Sequence, residues 1–413
     1  MNVRLIIQKG FVAVVAALAL SSCSMMTEDL DNCPTGLYVN FVYDYNIQRA
    51  DMLKDHVGGL TLYVYDESDR LVTTKSMGES QLSKYGSYLH FTEQELAPGH
   101  NYRLMAVAFQ HETLSNNGAK YRLTGNTVGS QWKQFFINLD HYATRSVANY
   151  YNVSHAEPLD TLWHTLTTIV SPSTINQSPS TIPTPAKTEY SWQHDGSITT
   201  NGQETVALVE GEPTYATVSL IRDTKHLNIT LRAVNDDPAD NQVMDQDYTV
   251  EIYDNNSQLD GKNDLTNPAD TLIYKPYRQW TTYFVGNGDV VSESAAHYDL
   301  MFNRLLYKNA SVNDDRYAVL RMEDIAKARN AVLLIRKKET GEIIFGINLP
   351  YILASGRTYQ ERYYHYQEYL DREYDYRLQF IIKGGRVDEI QLLLGMHIHT
   401  IPWAVRHQSE TLE

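Results

Sequence analysis

The sequence predicts an all-β protein of two domains, and three observations carry that reading. Short runs rich in β-branched and aromatic residues recur along the chain, with a partial alternation at the two-residue period of a strand. Thirty tyrosines accompany them, and a tyrosine suits a half-buried strand whose hydroxyl reaches the wet rim. Near the middle, Ser171 to Lys187 (S-P-S-T-I-N-Q-S-P-S-T-I-P-T-P-A-K) breaks the pattern, and prolines at that density favour an extended, solvated connection.

Before the strand pattern begins, the N-terminus reads as an export signal. Arg4 and Lys9 precede an unbroken apolar run, Phe11 to Leu20. That run falls short of the roughly 17–25 residues that span a bilayer, and it suits the hydrophobic stretch of a signal peptide. Leu20-Ser21-Ser22-Cys23 follows. A leucine, two small residues and a cysteine resemble the site read by lipoprotein signal peptidase, so cleavage is expected between Ser22 and Cys23 and lipid on Cys23. Acyl chains, palmitate among them, contribute about 0.8 kcal/mol per buried methylene. A cysteine carrying two or three of them is held almost permanently in a membrane.

Residues 1–22 are thus the expected signal and 23–36 a lipidated tether. Glu28, Asp29 and Asp31 lie in that tether, which ends in Asn32-Cys33-Pro34-Thr35-Gly36. Fully extended, it would lift a domain at most about 50 Å from the lipid. Acidic residues just past the cysteine resemble the surface-export signal of Bacteroidetes lipoproteins, and Ser24 in place of Asp gives no inner-membrane retention signal. The expected location is the outer membrane, facing the cell surface. Charge agrees: the chain stands at −15, and losing Arg4 and Lys9 with the signal takes it to −17. Such a surface does not seek nucleic acid or anionic headgroups by charge. The chain has two cysteines. With Cys23 consumed, Cys33 has no intramolecular partner, and a disulfide framework is excluded.

The expected strands run in order. They are Leu37–Tyr43, Leu60–Tyr65, Tyr102–Phe109, Val218–Arg222, Leu227–Val234, Tyr248–Tyr253, Tyr317–Met322 and Tyr376–Ile382. Val332–Arg336 and Ile343–Ile347 form a hairpin across a loop that places Gly341 to turn. Helix is expected only at Ser80–Tyr85, Glu323–Arg329 and Tyr359–Leu370. A chain of this length exceeds one sandwich core, so it divides into an N-terminal domain, 37–170, a linker or long loop, 171–211, and a C-terminal domain, 212–413.

Chemistry-bearing constellations are sparse. His397 and His399 lie two apart and share a strand face, as metal ligands sometimes do, but no third ligand stands at local spacing. Asp254 to Asp264 evokes a calcium loop, yet it lacks the glycine at its sixth position and the glutamate at its twelfth; a β-turn fits better. Asp236, Asp237, Asp240, Asp245 and Asp247 are acids in a solvated loop, without the defined carboxylate pair that glycoside hydrolysis needs. No nucleophile elbow, zinc helix or phosphate loop is present. The reading is of a non-enzyme without a cofactor.

Several stretches, in order, resemble the FimB/Mfa2 family of fimbrial anchor subunits of the Bacteroidales. They are Phe41-Val42-Tyr43-Asp44-Tyr45-Asn46, Ala50-Asp51 and Val64-Tyr65-Asp66, then Val218–Thr224, Phe302–Leu305, Glu339–Phe345 and Tyr369–Tyr376. Ile398 to Arg406 completes the set, with Pro402 where the family more often has Asn or Gly. The resemblance implies two transthyretin-like Greek-key β-sandwiches in tandem, a fimbrial stalk subunit (fimbrillin) as partner, and a structural role holding and length-limiting a fimbrium at the outer membrane. It points to His397, Ile398, His399, Trp403 and Arg406 as a partner contact. Stalk subunits of the family carry a long N-terminal segment removed after an arginine. Here the first strand starts at Leu37 with no arginine between it and Cys23, which favours anchor over stalk. Asp44, Asn46 and Asp66 at strand ends are expected to form turns. The alternative is a carbohydrate-binding surface lipoprotein, which would require two of Trp132, Trp163, Trp192, Trp280 and Trp403 in one exposed groove. A secreted glycosidase is the third class.

Overall fold

A computed structural model describes residues 34–84, 88–111, 121–144, 149–153, 158–171, 189–192, 198–237, 240–266, 269–285, 291–307, 325, 328, 330–359, 364–394 and 397–401. The signal, Ser22, Cys23, Trp403, Arg406 and the strand expected at 317–322 lie outside these residues.

The strands are β1 Gly36–Val42, β2 Gly59–Tyr65, β3 Leu71–Gly78, β4 Leu89–Phe91, β5 Asn101–Phe109, β6 Tyr121–Thr124, β7 Phe136–Leu139, β8 His141–Ala143 and β9 Tyr150–Val153. Next come β10 Leu162–Ser171, β11 Tyr190–Trp192, β12 Ile198–Thr200, β13 Val206–Ala207, β14 Pro213–Arg222, β15 Lys225–Ala233, β16 Tyr248–Asp254, β17 Gln258–Asp260 and β18 Thr271–Tyr274. The last are β19 Arg278–Val285, β20 Val291–Phe302, β21 Val332–Lys337, β22 Ile343–Asn348, β23 Asp375–Lys383, β24 Arg386–Leu394 and β25 His397–Ile401. Helices are short: α1 Leu53–His56, α2 Glu79–Leu82, α3 Leu349–Ala354 and α4 Tyr366–Arg372.

Alternation explains the strands directly. In β15 the buried apolar residues are Leu227, Ile229, Leu231 and Ala233, while His226, Asn228, Thr230 and Arg232 turn outward; one face packs and the other meets water. The hairpin β21–β22 turns at Gly341, whose φ of +70° a side chain would oppose. At the start of the domain Gly36 has φ +82°, and a Cβ there would fall on the Phe91 carbonyl. Only glycine lets the tether bend into β1 at that point.

The first domain is built on the path β3-β2-β5-β10-β14-β1-β4, with β13 added to β5. Leu37 and Val39 of β1, Leu62 of β2, Ala106 of β5, Val218 of β14 and Phe91 of β4 join a single core with Trp163. For one core to draw on the whole path, the sheet must curl over on itself as a sandwich does. The register shift between Thr165 and Thr167 of β10 falls where that strand leaves β5 and continues along β14. The second domain faces two six-stranded sheets, β19-β20-β15-β23-β24-β25 and β22-β21-β16-β18-β9-β8. Between them lie Ile229, Tyr298, Leu378 and Ile390 from one sheet and Ile252, Tyr274, Leu333 and Phe345 from the other. The architecture is all-β with two sandwiches, as the sequence predicts.

Pairing moves the boundary expected at Glu212. β14 belongs to the first sheet, parallel to β1 and antiparallel to β10, because its inward Ala216, Val218 and Leu220 complete that core. The linker range 171–211 also contributes structure: β11 pairs β12, and β13 pairs β5. Conversely β8 and β9, expected in the first domain, extend a sheet of the second, where β9 runs parallel to β18. β7 pairs β17. The chain crosses between domains at Arg222–Lys225, and each domain lends the other strands. Helix is also shorter than the sequence suggests: Tyr359–Leu370 yields α4 from Tyr366, while α1 and α3 were not anticipated.

Candidate functional site

Where the chain passes from β14 into β15 it threads a buried ionic junction. Asp223, Thr224 and Lys225 are essentially without solvent exposure. Lys225 Nζ donates to the carbonyl oxygens of Asp371 (2.8 Å) and Glu373 (2.9 Å) at the end of α4. Arg304 grips the Asp371 carboxylate with two parallel bonds, Nε to Oδ1 and Nη2 to Oδ2, both 2.8 Å, and reaches the Asn263 carbonyl with Nη1 at 3.0 Å. This forked geometry is what a guanidinium offers and an ammonium does not. Gln367 adds a bond to Asp371 Oδ1 (3.0 Å) and one to the Leu305 carbonyl (2.9 Å). Asp223 accepts from Asn263 Nδ2 at 2.8 Å.

Burial and neighbouring charges set the protonation tendencies. Burial pushes the Asp223 carboxyl up and the Lys225 ammonium down. Burial also works against the Arg304 charge, but the Asp371 carboxylate outweighs it and holds the guanidinium above its ordinary value. Beside this group a neutral network closes the gap: Tyr121 Oη donates to Asn303 Oδ1 (2.6 Å), Tyr274 Oη to Asn256 Oδ1 (2.6 Å), and Asn303 Nδ2 to the Asn256 carbonyl (2.9 Å). His164 is fully buried nearby, and burial drives its pKa down to about 4.

Several of the stretches that carry the family resemblance, Phe41–Asn46, Val218–Thr224, Phe302–Leu305 and Tyr369–Tyr376, converge here. Arg222 lies over the Tyr374 ring at 4.0 Å and the Trp163 ring at 5.6 Å. Arg372 covers the Tyr45 ring at 4.1 Å and pairs with Glu368 at 3.0 Å. Asn46 donates to the carbonyls of Tyr43 and Ala50, both 2.8 Å, and Asp51 Oδ1 accepts from the amides of Tyr43 (2.9 Å) and Leu53 (3.1 Å). Asn46 and Asp66 form turns, the latter accepting from the Ser68 and Arg70 amides at 2.9 Å. Asp44 does something else: its Oδ1 accepts from Ser219 Oγ (3.2 Å) and Tyr190 Oη (3.4 Å), bracing β14 against β11. Arg222 over Tyr374 and Arg372 over Tyr45 are the contacts of this group that bridge the two sandwiches. Sequence reading did not single out Lys225, Arg304 or Asp371, because their partners lie far away along the chain; the family resemblance of Val218–Thr224, Phe302–Leu305 and Tyr369–Tyr376 was the available signal.

The remaining sequence candidates separate. Asp260 Oδ1 accepts from the Lys262 (2.8 Å) and Asp264 (3.0 Å) amides, so the calcium-like stretch is a turn following β17. No group of three or more His, Cys, Asp or Glu able to hold a metal occurs among the described residues. Trp163 is core, Trp132 packs on Tyr65 at 4.9 Å, and Trp280 stands on β19 beside His297 at 5.0 Å; these three do not share a groove. His397, Ile398 and His399 lie on β25, opposite Leu394, Leu393 and Leu392 of β24, at one edge of the sheet. Among the described residues no helix is long and apolar enough to cross a membrane.

Fold and junction together define an all-β protein of two sandwiches joined through a buried ionic crossing. The chain belongs to the family of fimbrillin-A associated anchor proteins Mfa1 and Mfa2, whose family model matches residues 30–183 and 199–409. In fold it is similar to a protein from Bacteroides thetaiotaomicron described as an adhesin, at TM-score 0.59 and 20% identity over 87% of this chain and 96% of that one. A second protein of that species, described as polysaccharide binding, matches at TM-score 0.59 and 21% identity over 89% and 99%. A protein from Bacteroides ovatus, described as an adhesin, matches at 0.58 and 22% over 89% and 97%. No curated protein matches the chain. Family membership places the protein in association with fimbrial subunits at the cell surface.

Proposed function

We propose that this protein tethers a fimbrium to the outer membrane through lipid on Cys23 and caps the cell-proximal end of the polymer, limiting its length. Membership of the anchor family over nearly the whole chain carries the reading. The first strand is consistent with it: β1 is paired on both sides, with β14 and β4, so its place in the sheet is already filled. A polymer built by strand exchange has no intrinsic stop and no hold on the cell. A subunit with a permanent lipid and a filled first strand supplies both, and the β25 region, His397–Arg406, is the contact read from the sequence.

Deleting the gene leaves fimbrial subunits made but gives longer fibres shed into the medium. A Cys23→Ala form loses lipid labelling and does not return fibres to cells. Unchanged fibre length and retention in the deletion strain refute the anchor role, and an acylated Cys23→Ala protein in the membrane fraction refutes the lipid site.

A further inference from the structure

The described sheets end in edge strands that differ sharply in how open they are. β4 and β8 have three residues each and β13 two, too short to template a partner. β3 has eight, but its first residue is bonded to the turn at Gly129 and Ser130, and it carries Lys75 at its centre. β22 is buried at four of its six positions. β25 has five residues and runs into Pro402. Shortness, an edge lysine, covering and a neighbouring proline are the devices by which proteins blunt edges.

β19 has none of them. It is eight residues long, R-Q-W-T-T-Y-F-V, without lysine, proline, glycine or acid. Its strand partner among the described residues is β20 alone, paired from Arg278 to Val285. Tyr283 is 51% exposed and Phe284 45% exposed, a large apolar presence on an edge. Trp280 stands on the outer face, in ring contact with His297 at 5.0 Å and under Arg278 at 4.6 Å.

The geometry points to β19 as the edge to which an extended strand of a fimbrial subunit adds, extending the sheet β19-β20-β15-β23-β24-β25 by one. This rests on the fimbrial reading above and replaces β25 as the polymer contact. Main-chain bonds along the edge supply affinity, and side chains alternating over the two faces supply selectivity. A second copy of this chain is disfavoured as occupant, since it brings the same charge of −15 against itself. β19 contributes Arg278 and no acid, so the strand that fits it sets an acidic residue beside Arg278 and an apolar one beside Trp280.

Photo-cross-linking in fimbriated cells tests this on the full-length lipoprotein. Tyr283, Thr74 of β3 and Thr400 of β25 are each replaced by p-benzoylphenylalanine, and adducts are identified by mass spectrometry. The expected result is a fimbrial-subunit adduct from position 283 and none from 74 or 400. In parallel, Tyr283→Lys weakens binding of the purified subunit at least tenfold with an unchanged melting temperature; if that variant misfolds, Thr282→Lys serves in its place. An adduct from position 400 but not 283 overturns the assignment, as does an adduct of twice the chain mass or binding indifferent to both lysines. If position 283 gives no adduct while gene deletion still sheds fibres, β19 falls and the anchor stands. If deletion leaves fibres unchanged, the anchor reading falls with it.

Discussion

Truncating Asp371 to alanine strands the Arg304 guanidinium inside the junction. That side chain is 15% exposed and the Asp371 carboxylate 1% exposed, so water can replace little of what is lost. Two charge-assisted bonds disappear, and Arg304 keeps only the Asn263 carbonyl. Removing one partner of a buried ion pair costs about 3–5 kcal/mol. The bond from Gln367 to Asp371 is lost as well, adding about 1 kcal/mol. The expected loss for Asp371→Ala is therefore ~4–6 kcal/mol. Urea unfolding measures it, followed both by far-UV circular dichroism and by tryptophan fluorescence, to which Trp163, buried beside Arg222 at the crossing, contributes. The double variant Asp371→Leu with Arg304→Met leaves no stranded charge, and replacing both partners recovers most of the loss. A single variant that loses less than about 1 kcal/mol, or a double variant no better than the single, refutes the account of the junction.

Two further outcomes follow from the same geometry. Burial holds the folded His164 pKa at about 4 against an ordinary value of 6.5, so between those values the unfolded chain binds a proton that the folded chain refuses. Its stability contribution is complete above pH 6.5 and declines as pH falls toward 4, by on the order of 3 kcal/mol in all; urea midpoints across that range should flatten in His164→Gln, and an unchanged slope counts against it. Limited proteolysis is expected to nick the Pro/Ser/Thr-rich stretch Ser171–Lys187 first, since prolines at that density favour an extended connection. The two fragments should then stay together on a sizing column, since β14 on one side of the nick pairs with β1 and β10 on the other; free fragments would contradict that interlock.

What the sequence made legible was local. Runs of β-branched and aromatic residues located β1, β2, β5 and β16 nearly to the residue although these strands are buried on both faces, while in β15 and β23 one buried face leaves the two-residue alternation that marks a strand. Partnership was not local. Nothing in Pro213–Arg222 says that it pairs with a strand beginning at Gly36, and the proline-rich stretch drew the boundary to the wrong side of β14. Charges are illegible in the same way: side chains such as those of Asp223 and Lys225 are seldom buried unless paired, and the Lys225 partner on α4 lies 146 residues on. The turn-forming roles of Asn46 and Asp66 were readable from side-chain chemistry. The cross-strand role of Asp44 was not, because Ser219 and Tyr190 come from other elements.

The parallel pairing of β1 with β14 has a mechanical meaning. Seven consecutive positions are in register, from Gly36 with Pro213 to Val42 with Ser219. A pull that enters at Gly36 runs along the axis of β1, so the ladder to β14 is loaded in shear and its hydrogen bonds resist together. A peeling geometry would expose them one at a time. The load then leaves β14 through Arg222, Asp223 and Thr224 into β15, a central strand of the second sandwich flanked by β20 and β23. Under the proposed anchoring, tension thus travels through β1 and β14 into β15, and the Lys225 and Arg304 contacts clamp the segment where β14 passes into β15.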